Sequence, residues 1–477
     1  MKIEVSPDTP EEEIYRIYQL QKAHIPEAGK TSIPERLSKL KKLKRAIVLH
    51  RKEFQQAMYA DYNKPAPEVD IAETFVLLNE LGHTIRRLKS WSGKHPVATP
   101  WYLTGADSYI QYEAKGHALV FAPWNYPIHL TLMPLAYSYA AGNVTLIKPS
   151  EYTPYSAEVV KKIIRDVFDE KEAFVAEGGA SVGQYLLTLK FNHIFFTGSP
   201  SIGKMVMKAA ADHLSSVTLE LGGKSPLIVD ETADLASACA FAATTKFINS
   251  GQYCIAPDYV FVHESVKNEF IREFIRQLEY KYGRNEQEWL NGDYCLMVNG
   301  KQLSRVRTIL EDALSKGARL EYGGYINPEK ELIGPTVLSG AREGMKILEE
   351  EIFGPVLLLR SYLDLDDVIR TINEGETPLS LYLFSRRLKT KKRFRKEVRA
   401  GTMCINTMAV HYYNYNLPFG GLNASGIGQS HGFWSFCEFS NAKAVMNQWS
   451  PVNGIKLVLP PFTKFKKILI DWLIRLT

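Results

Sequence analysis

The sequence predicts an α/β fold of parallel sheets with helices on both faces. Two regions carry that expectation. From His117 onward short apolar runs alternate with amphipathic stretches, and a second alternating region begins after Leu221 and reaches about Asn423. Strand–helix alternation of this kind lays successive strands parallel in one sheet. The length of 477 residues exceeds one simple domain and suffices for two or three, each with a sizeable core.

In chain order, residues 10–92 read as helical. Leu37, Leu40, Leu43 and Ile47 recur at helical spacing, with Lys and Arg on the other faces. The stretch from Gly93 to Gly116 is rich in Pro, Gly and aromatics. HALVF (117–121) and NVTLIKP (143–149) read as strands, and Ser156 to Phe168 reads as a helix. FNHIFF (191–196) is a further strand. Within 200–213, Ile202, Met205, Val206, Ala209 and Ala210 share a helical face. No internal repeat or long low-complexity segment is evident.

The tail differs. After Pro460-Pro461 comes FTKFKKILIDWLIRLT, in which Phe462, Phe465, Ile468, Leu469, Trp472, Leu473 and Leu476 fall on one helical face. Lys464, Lys467, Asp471 and Arg475 lie elsewhere. The segment is short for a membrane span, and its charges count against one. Its stripe is expected to pack on the protein itself or on a partner subunit. Peripheral contact of 462–477 with a membrane surface is the alternative.

Apolar residues make up 45% and charged residues 23%, ordinary values for a soluble globular protein. The net charge of +6 is small for this length and gives no reason to expect nucleic-acid binding. The five cysteines include no CxxC pair and no metal-type spacing to His, so neither a metal site nor a disulfide framework is expected. The N-terminus is acidic where a signal peptide would be apolar. A cytoplasmic location is the expectation, with a membrane-surface location as its variant through the tail.

Several segments invite a chemical reading. NSGQYCIAP (249–257) sets Cys254 just after a small-residue turn. Alone, such a cysteine reads as a buried apolar residue as well as a nucleophile. LELGGKSP (219–226) puts Glu220 at the end of a predicted strand, where a salt-bridged surface residue is the plain alternative. APWNYP (122–127) puts Asn125 just past the strand at 117–121, where Asn beside Pro also forms turns. FFTGSPSIGK (195–204) is a strand, a Gly-Ser turn and a helix start, whose free N–H groups suit a phosphate. Its glycines, Gly198 and Gly203, do not have the GxGxxG spacing. In KPSE (148–151), Lys148 and Glu151 are either ribose ligands or surface charges.

Taken together, these segments resemble the aldehyde dehydrogenase superfamily over nearly the whole chain, most of all its class 3 group of fatty and aromatic aldehyde enzymes. The matching segments are WNYP, LIKPSE, FFTGSPSIGK, VTLELGGKSP, NSGQYCIAPDYV, EEIFGPVL (350–357) and LPFGGLNASGIGQSHG (417–432). The resemblance implies a Rossmann-like cofactor domain at 1–93 and 117–220, and an α/β catalytic domain at 221–424. It also implies a small bridging or oligomerisation element at 94–116 and 425–447, then a tail at 448–477. A homodimer and NAD or NADP as cofactor are implied too. Glu151 suits the ribose hydroxyls of NAD and would repel a 2′-phosphate, yet class 3 relatives with this residue often accept both.

Position by position, the resemblance makes Cys254 the nucleophile and Glu220 the general base. Asn125 and the Cys254 backbone N–H donate to the oxyanion. Lys148 and Glu151 approach the adenosine ribose, Gly198 and Ser199 the pyrophosphate. Glu351 and Phe353 position the nicotinamide half. The implied reaction converts an aldehyde to a carboxylic acid through a cysteine thiohemiacetal and a thioester, the nicotinamide accepting hydride. Departures from the commoner pattern are Ala122, Tyr253 and the aromatic loop HYYNYN (411–416). Tyr126, Tyr253, His411 and Tyr412 are expected to line the aldehyde entrance, with medium- or long-chain aliphatic or aromatic aldehydes as substrates. Two rivals remain. CoA in place of water as acyl acceptor is disfavoured by Glu220. A thiol hydrolase would need a His base such as His193 or His263.

Overall fold

The computed structural model describes residues 7–451 and 454–476. Residues 1–6, 452–453 and 477 of the expected cofactor unit and tail, and the side chain of Leu476, lie outside the described residues.

The segment from Glu11 to Trp91 is largely helical, as its spacing predicts. Helices Glu11–Lys30, Ile33–Leu49, Arg51–Tyr62 and Phe75–Trp91 follow one another, and a π-helical turn, Asp70–Thr74, precedes the last. The Ile33–Leu49 helix begins with a capping box between Ser32 and Glu35, which satisfies two otherwise orphan N–H groups. Of the residues the periodicity picks out, Leu40, Leu43 and Ile47 are buried and Leu37 is half-buried, and Arg36 is buried beside them.

A six-stranded sheet comes next. Edge to edge it runs Gly426–Ile427, Ser216–Leu221, His193–Gly198, His117–Phe121, Val144–Lys148 and Ala173–Val175. All are parallel except Gly426–Ile427, which runs antiparallel to its neighbour. Its central strands His117–Phe121 and Val144–Lys148 are buried along their whole length because both faces are covered. Ala118, Val120 and Ile147 pack on one side with the helices at 33–91, while Leu119, Phe121 and Leu146 pack on the other with Ile14 and Ile17. The chain enters at His117–Phe121 in the middle and builds outward both ways. The strand order therefore reverses between His117–Phe121 and His193–Gly198, and such a switch point opens a crevice at the carboxyl ends of the strands.

A seven-stranded sheet follows, ordered Arg319–Tyr322, Thr336–Ser339, Val356–Tyr362, Tyr259–His263, Pro226–Val229, Ser380–Phe384 and Thr402–Ile405. Only Arg319–Tyr322 is antiparallel. Leu227 and Val229 face one core and Ile228 the other, the period-2 alternation of a strand covered on both sides.

The Pro- and Gly-rich stretch after Gly93 forms strands Lys94–Val97 and Ala106–Ala114; the second is the centre of a small third sheet, pairing antiparallel with Lys94–Val97 on one side and Ser440–Gln448 on the other. Of the segment 425–447, only the part from Ser440 joins this sheet. Gly426–Ile427 pairs with Ser216–Leu221, and the Gly432–Glu438 helix packs against His129–Ala141 and Phe75–Trp91.

The tail forms helix Lys464–Leu476. Packing of its whole apolar stripe on its own chain does not occur: Phe465, Ile468 and Trp472 are exposed. Among the described residues no helix is long and apolar enough to cross a membrane.

Candidate active site

The crevice at the switch point is a cavity of about 1310 Å³ between the two large sheets. That exceeds the roughly 300–1,000 Å³ usual for a single small ligand, so a cofactor and a substrate both fit.

Cys254, Glu220 and Asn125, far apart in sequence, line one cavity. Cys254 follows an unusual turn. Asn249, Ser250 and Gly251 are consecutive residues with positive φ, at 53°, 50° and 69°. A Cβ on Gly251 would lie 2.4 Å from the Gly354 carbonyl oxygen, so the position admits only glycine. Two amides hold this turn. Asn249 Nδ2 donates to the Gln252 carbonyl (3.1 Å) and to the Asn125 carbonyl (3.2 Å). Gln252 Nε2 donates to the Asn249 and Leu296 carbonyls, each at 3.0 Å. Tyr62 Oη also donates to the Asn125 carbonyl, at 2.9 Å. The nucleophile turn and the Asn125 loop are thus tied through shared backbone contacts.

Electrostatics separate the roles. Burial pushes the Cys254 thiol up, and the carboxylates of Glu220 and Glu351 push it further; the N–H groups of Cys254 and Ile255 oppose them. Glu220 sits at the end of strand Ser216–Leu221, buried, and burial raises it to about 7 against a lowering hydrogen bond from Ser430. Its Oε1 makes no hydrogen bond within the protein. A carboxylate poised near neutrality with a free oxygen on the cavity wall is suited to accepting a proton.

The other end of the cavity suits a dinucleotide. Lys148, at a strand end, bonds Glu151 Oε2 at 2.9 Å, and both line the cavity. Gly198 and Ser199 line it too, and Ser199 caps helix Pro200–His213 by accepting the Ile202 N–H, so the positive end of that helix faces the cavity, where it suits an anion. The buried Thr197 Oγ1 in the same wall has no hydrogen-bond partner. Glu351 lies against bare backbone: Gly223 N–H donates to its Oε1 at 3.2 Å, and a Cβ on Gly222 would lie 2.0 Å from Oε2. Burial and Asp258 raise Glu351 to about 8. Phe353, in the left-handed region at φ 44°, packs edge-on against Trp124 with ring centroids 5.4 Å apart. This helix end, the free Thr197 hydroxyl and the bare glycines fit a nicotinamide dinucleotide.

The substrate mouth is aromatic. Tyr126, Tyr253, Tyr412, Tyr413 and Phe419 line it. Tyr253 is buried and bonded through its hydroxyl to the Thr245 carbonyl, so it packs as well as lines. His411 departs from expectation, because it does not line the cavity. Its Nε2 lies 3.0 Å from Thr402 Oγ1 and 3.2 Å from Ser380 Oγ, and its Nδ1 lies 3.0 Å from Cys404 Sγ. Three inward partners outweigh the solvent that the entrance offers. His193 and His263 are not at the cavity either: His193 bonds Ser216 and His263 bonds Ser265.

Sequence reading missed supports that carry no local signal. Arg305 reaches from helix Gly300–Ser315 to the carbonyls of Glu351 (3.0 Å) and Ile352 (2.6 Å), anchoring the segment that bears Glu351 and Phe353. Asp258 accepts the Ile352 N–H at 2.8 Å. Asn249 and Gln252 stood inside a recognised motif, and only their amides in a glycine-bounded turn hinted at this bracing.

The chain belongs to the aldehyde dehydrogenase family, whose sequence profile matches residues 2–445. It is 40% identical over 435 residues to the 4,4'-diaponeurosporen-aldehyde dehydrogenase of Staphylococcus aureus, covering 91% of this chain and 93% of that protein. It is 36% identical to the dimeric NADP-preferring aldehyde dehydrogenase of Rattus norvegicus, covering 88% of this chain and 91% of the relative. The solved structure of substrate-bound Staphylococcus aureus AldH superposes with a TM-score of 0.92 at 38% identity, over 96% of this chain and 99% of the other. The chain's reaction is accordingly the NAD(P)-dependent oxidation of an aldehyde.

Proposed function

We propose that this enzyme oxidises medium- or long-chain aliphatic or aromatic aldehydes to carboxylic acids, with Cys254 as nucleophile, Asn125 and the Cys254 N–H as oxyanion donors, and Glu220 as the base that activates water. The observation that carries the reading is the meeting of these three side chains on one cavity wall behind an aromatic mouth. Bound NAD(P)+ supplies the hydride acceptor. The protein's own part is to hold the rest. Cys254 loses its thiol proton to water in the open cavity as its sulfur bonds to the aldehyde carbon, and the developing oxyanion lies where preorganised donors reach it. After oxidation the thioester is left beside Glu220, which takes a proton from the attacking water. Lys148 and Glu151 hold the adenosine ribose, Gly198 and Ser199 the pyrophosphate, and Glu351 and Phe353 the nicotinamide side.

A homodimer in the cytoplasm, with the tail touching a membrane surface, completes the proposal. Two features support it. Strand Ser440–Gln448 is a long, largely exposed sheet edge, which invites pairing with a second chain. Phe465, Ile468 and Trp472 form an uncovered apolar face beside basic residues. Sedimentation at the mass of one chain would exclude the dimer.

The test of the activity is reduced-cofactor formation with hexanal, dodecanal and benzaldehyde, with NAD and with NADP, in the wild type and in Cys254→Ser. Reduction that disappears in the variant is expected. Equal rates in the two proteins would remove Cys254 from the reaction. A marked preference for small, charged aldehydes would remove the aromatic mouth as the selector.

A further inference from the structure

Behind the cavity wall lies a buried polar chain that the roles above do not use. Tyr412 lines the cavity, and its hydroxyl lies 3.1 Å from Nδ1 of His129, a residue 283 positions away in sequence. Nε2 of the same imidazole lies 3.2 Å from Glu80 Oε2. Glu80 Oε1 accepts the Tyr137 hydroxyl at 2.6 Å, and the Tyr137 oxygen in turn accepts the Gly432 N–H at 2.7 Å. His129, Glu80 and Tyr137 are all buried.

The protons in this chain can be assigned. Tyr137 accepts from a backbone N–H, so its own proton goes to Glu80. Burial alone would raise Glu80, but His431, His129 and Tyr137 outweigh it and hold the carboxyl at about 2. Glu80 is therefore ionised and accepts Nε2–H of His129. That leaves the Nδ1 lone pair to accept the Tyr412 proton, and Tyr412 itself lines the cavity. The order carboxylate, imidazole, hydroxyl is one in which an imidazole can take a proton from the hydroxyl while the carboxylate stabilises the resulting imidazolium.

The charged and titratable groups around His129 come from every neighbouring element. Glu80 lies on helix Phe75–Trp91, and Glu73 on the π-helical turn accepts the His129 backbone N–H at 2.6 Å. His431 precedes helix Gly432–Glu438. Glu220 lies within electrostatic reach of both His129 and Tyr412.

We propose that Tyr412, His129 and Glu80 form a proton relay that takes the proton from Glu220 during hydrolysis of the acyl-enzyme. This rests on the reading of Glu220 as the base. Glu220 gains a proton from the attacking water. The protonated carboxyl passes it, across one cavity water, to the Tyr412 oxygen, while the Tyr412 proton moves to His129 Nδ1. The result is a Glu220 carboxylate, an intact phenol and an imidazolium paired with Glu80. After the acid product leaves, the proton returns by the same path to water in the open cavity.

The test separates acylation from deacylation without cofactor. The enzyme is acylated with 4-nitrophenyl acetate, nitrophenolate release gives the acylation rate, and loss of the acetyl mass from the intact protein gives deacylation. Wild type, His129→Gln and Tyr412→Phe are compared across the pH range; the Phe variant keeps the ring packing. The expected result is a deacylation-to-acylation ratio at least about tenfold lower in both variants, within the range of acid–base effects, with an altered pH profile for deacylation. A ratio within about twofold of wild type, or a parallel fall of both rates, overturns the relay. Nitrophenolate release that is unchanged in Cys254→Ser would overturn the proposed function first, and the relay with it.

Discussion

Asn125 and Glu220 are both buried, with different consequences for the roles proposed for them. Asn125 is buried at the cavity wall with its carbonyl held by Tyr62 and Asn249, so its side chain points from a braced backbone. An oxyanion donor fixed in this way needs no reorganisation when charge develops. Asn125→Ala should lower kcat by roughly a hundred- to a thousandfold, about 2.7–4 kcal/mol of barrier. A kcat/KM within about fivefold of wild type would remove Asn125 from the oxyanion site. Glu220 uses burial to stay weakly acidic, at about 7. Only its ionised form can accept a proton, and that form is present above this value and lost below it. Thioester hydrolysis should therefore fall about tenfold per pH unit below about 7 and level off above. A profile flat across that value, or one that also survives in Glu220→Gln, would exclude Glu220 as the base.

At the scale of elements, the turn at 249–251 shows what a motif does not reveal about itself. Its small residues were legible as a turn before Cys254. The run of three left-handed residues was not, because φ depends on what packs around the turn. Gly251 lies against the Gly354 carbonyl and Asn249 against the Asn125 loop. Gly251→Ala should cost about 1–3 kcal/mol of stability through backbone strain and displace Cys254. Thermal unfolding and kcat, measured together, check this; an unchanged melting temperature with full activity would show that the turn tolerates a side chain. The aromatic loop at 411–416 makes the same point. Tyr412 reaches the cavity, yet the adjacent His411 turns inward to Thr402, Ser380 and Cys404. Neighbours in sequence take opposite directions because the partners of His411 lie on strands Ser380–Phe384 and Thr402–Ile405, and that of Tyr412 on helix His129–Ala141.

At the scale of the whole molecule, two large sheets enclose the cavity and the tail lies apart with an exposed apolar stripe. Ending the chain after Pro461 removes helix Lys464–Leu476. The shortened enzyme should lose retention on vesicles that contain anionic lipid, and its KM for dodecanal should rise relative to hexanal. If both stay as in the full chain, the tail has no part in membrane contact or in substrate entry. Its amphipathic pattern was readable from spacing alone. What covers the stripe was not, since a helical period records only that one face is apolar.

The class of fold, the helices of 10–92, the strand–helix alternation after His117 and the amphipathic tail were legible in the amino-acid sequence. Those elements rest on a local property, period 3.6 against period 2, whereas the roles of Cys254, Glu220 and Asn125 came with the resemblance of their ordered motifs and not from any one segment. The tertiary structure alone decided where strand Gly426–Ile427 pairs, that His411 faces away from the cavity, that Arg305 anchors the Glu351 segment, and that Glu80, His129 and Tyr412 meet behind the wall. Each of these joins residues tens to hundreds of positions apart, and such contacts are set by strand order and packing, which no short window of sequence encodes.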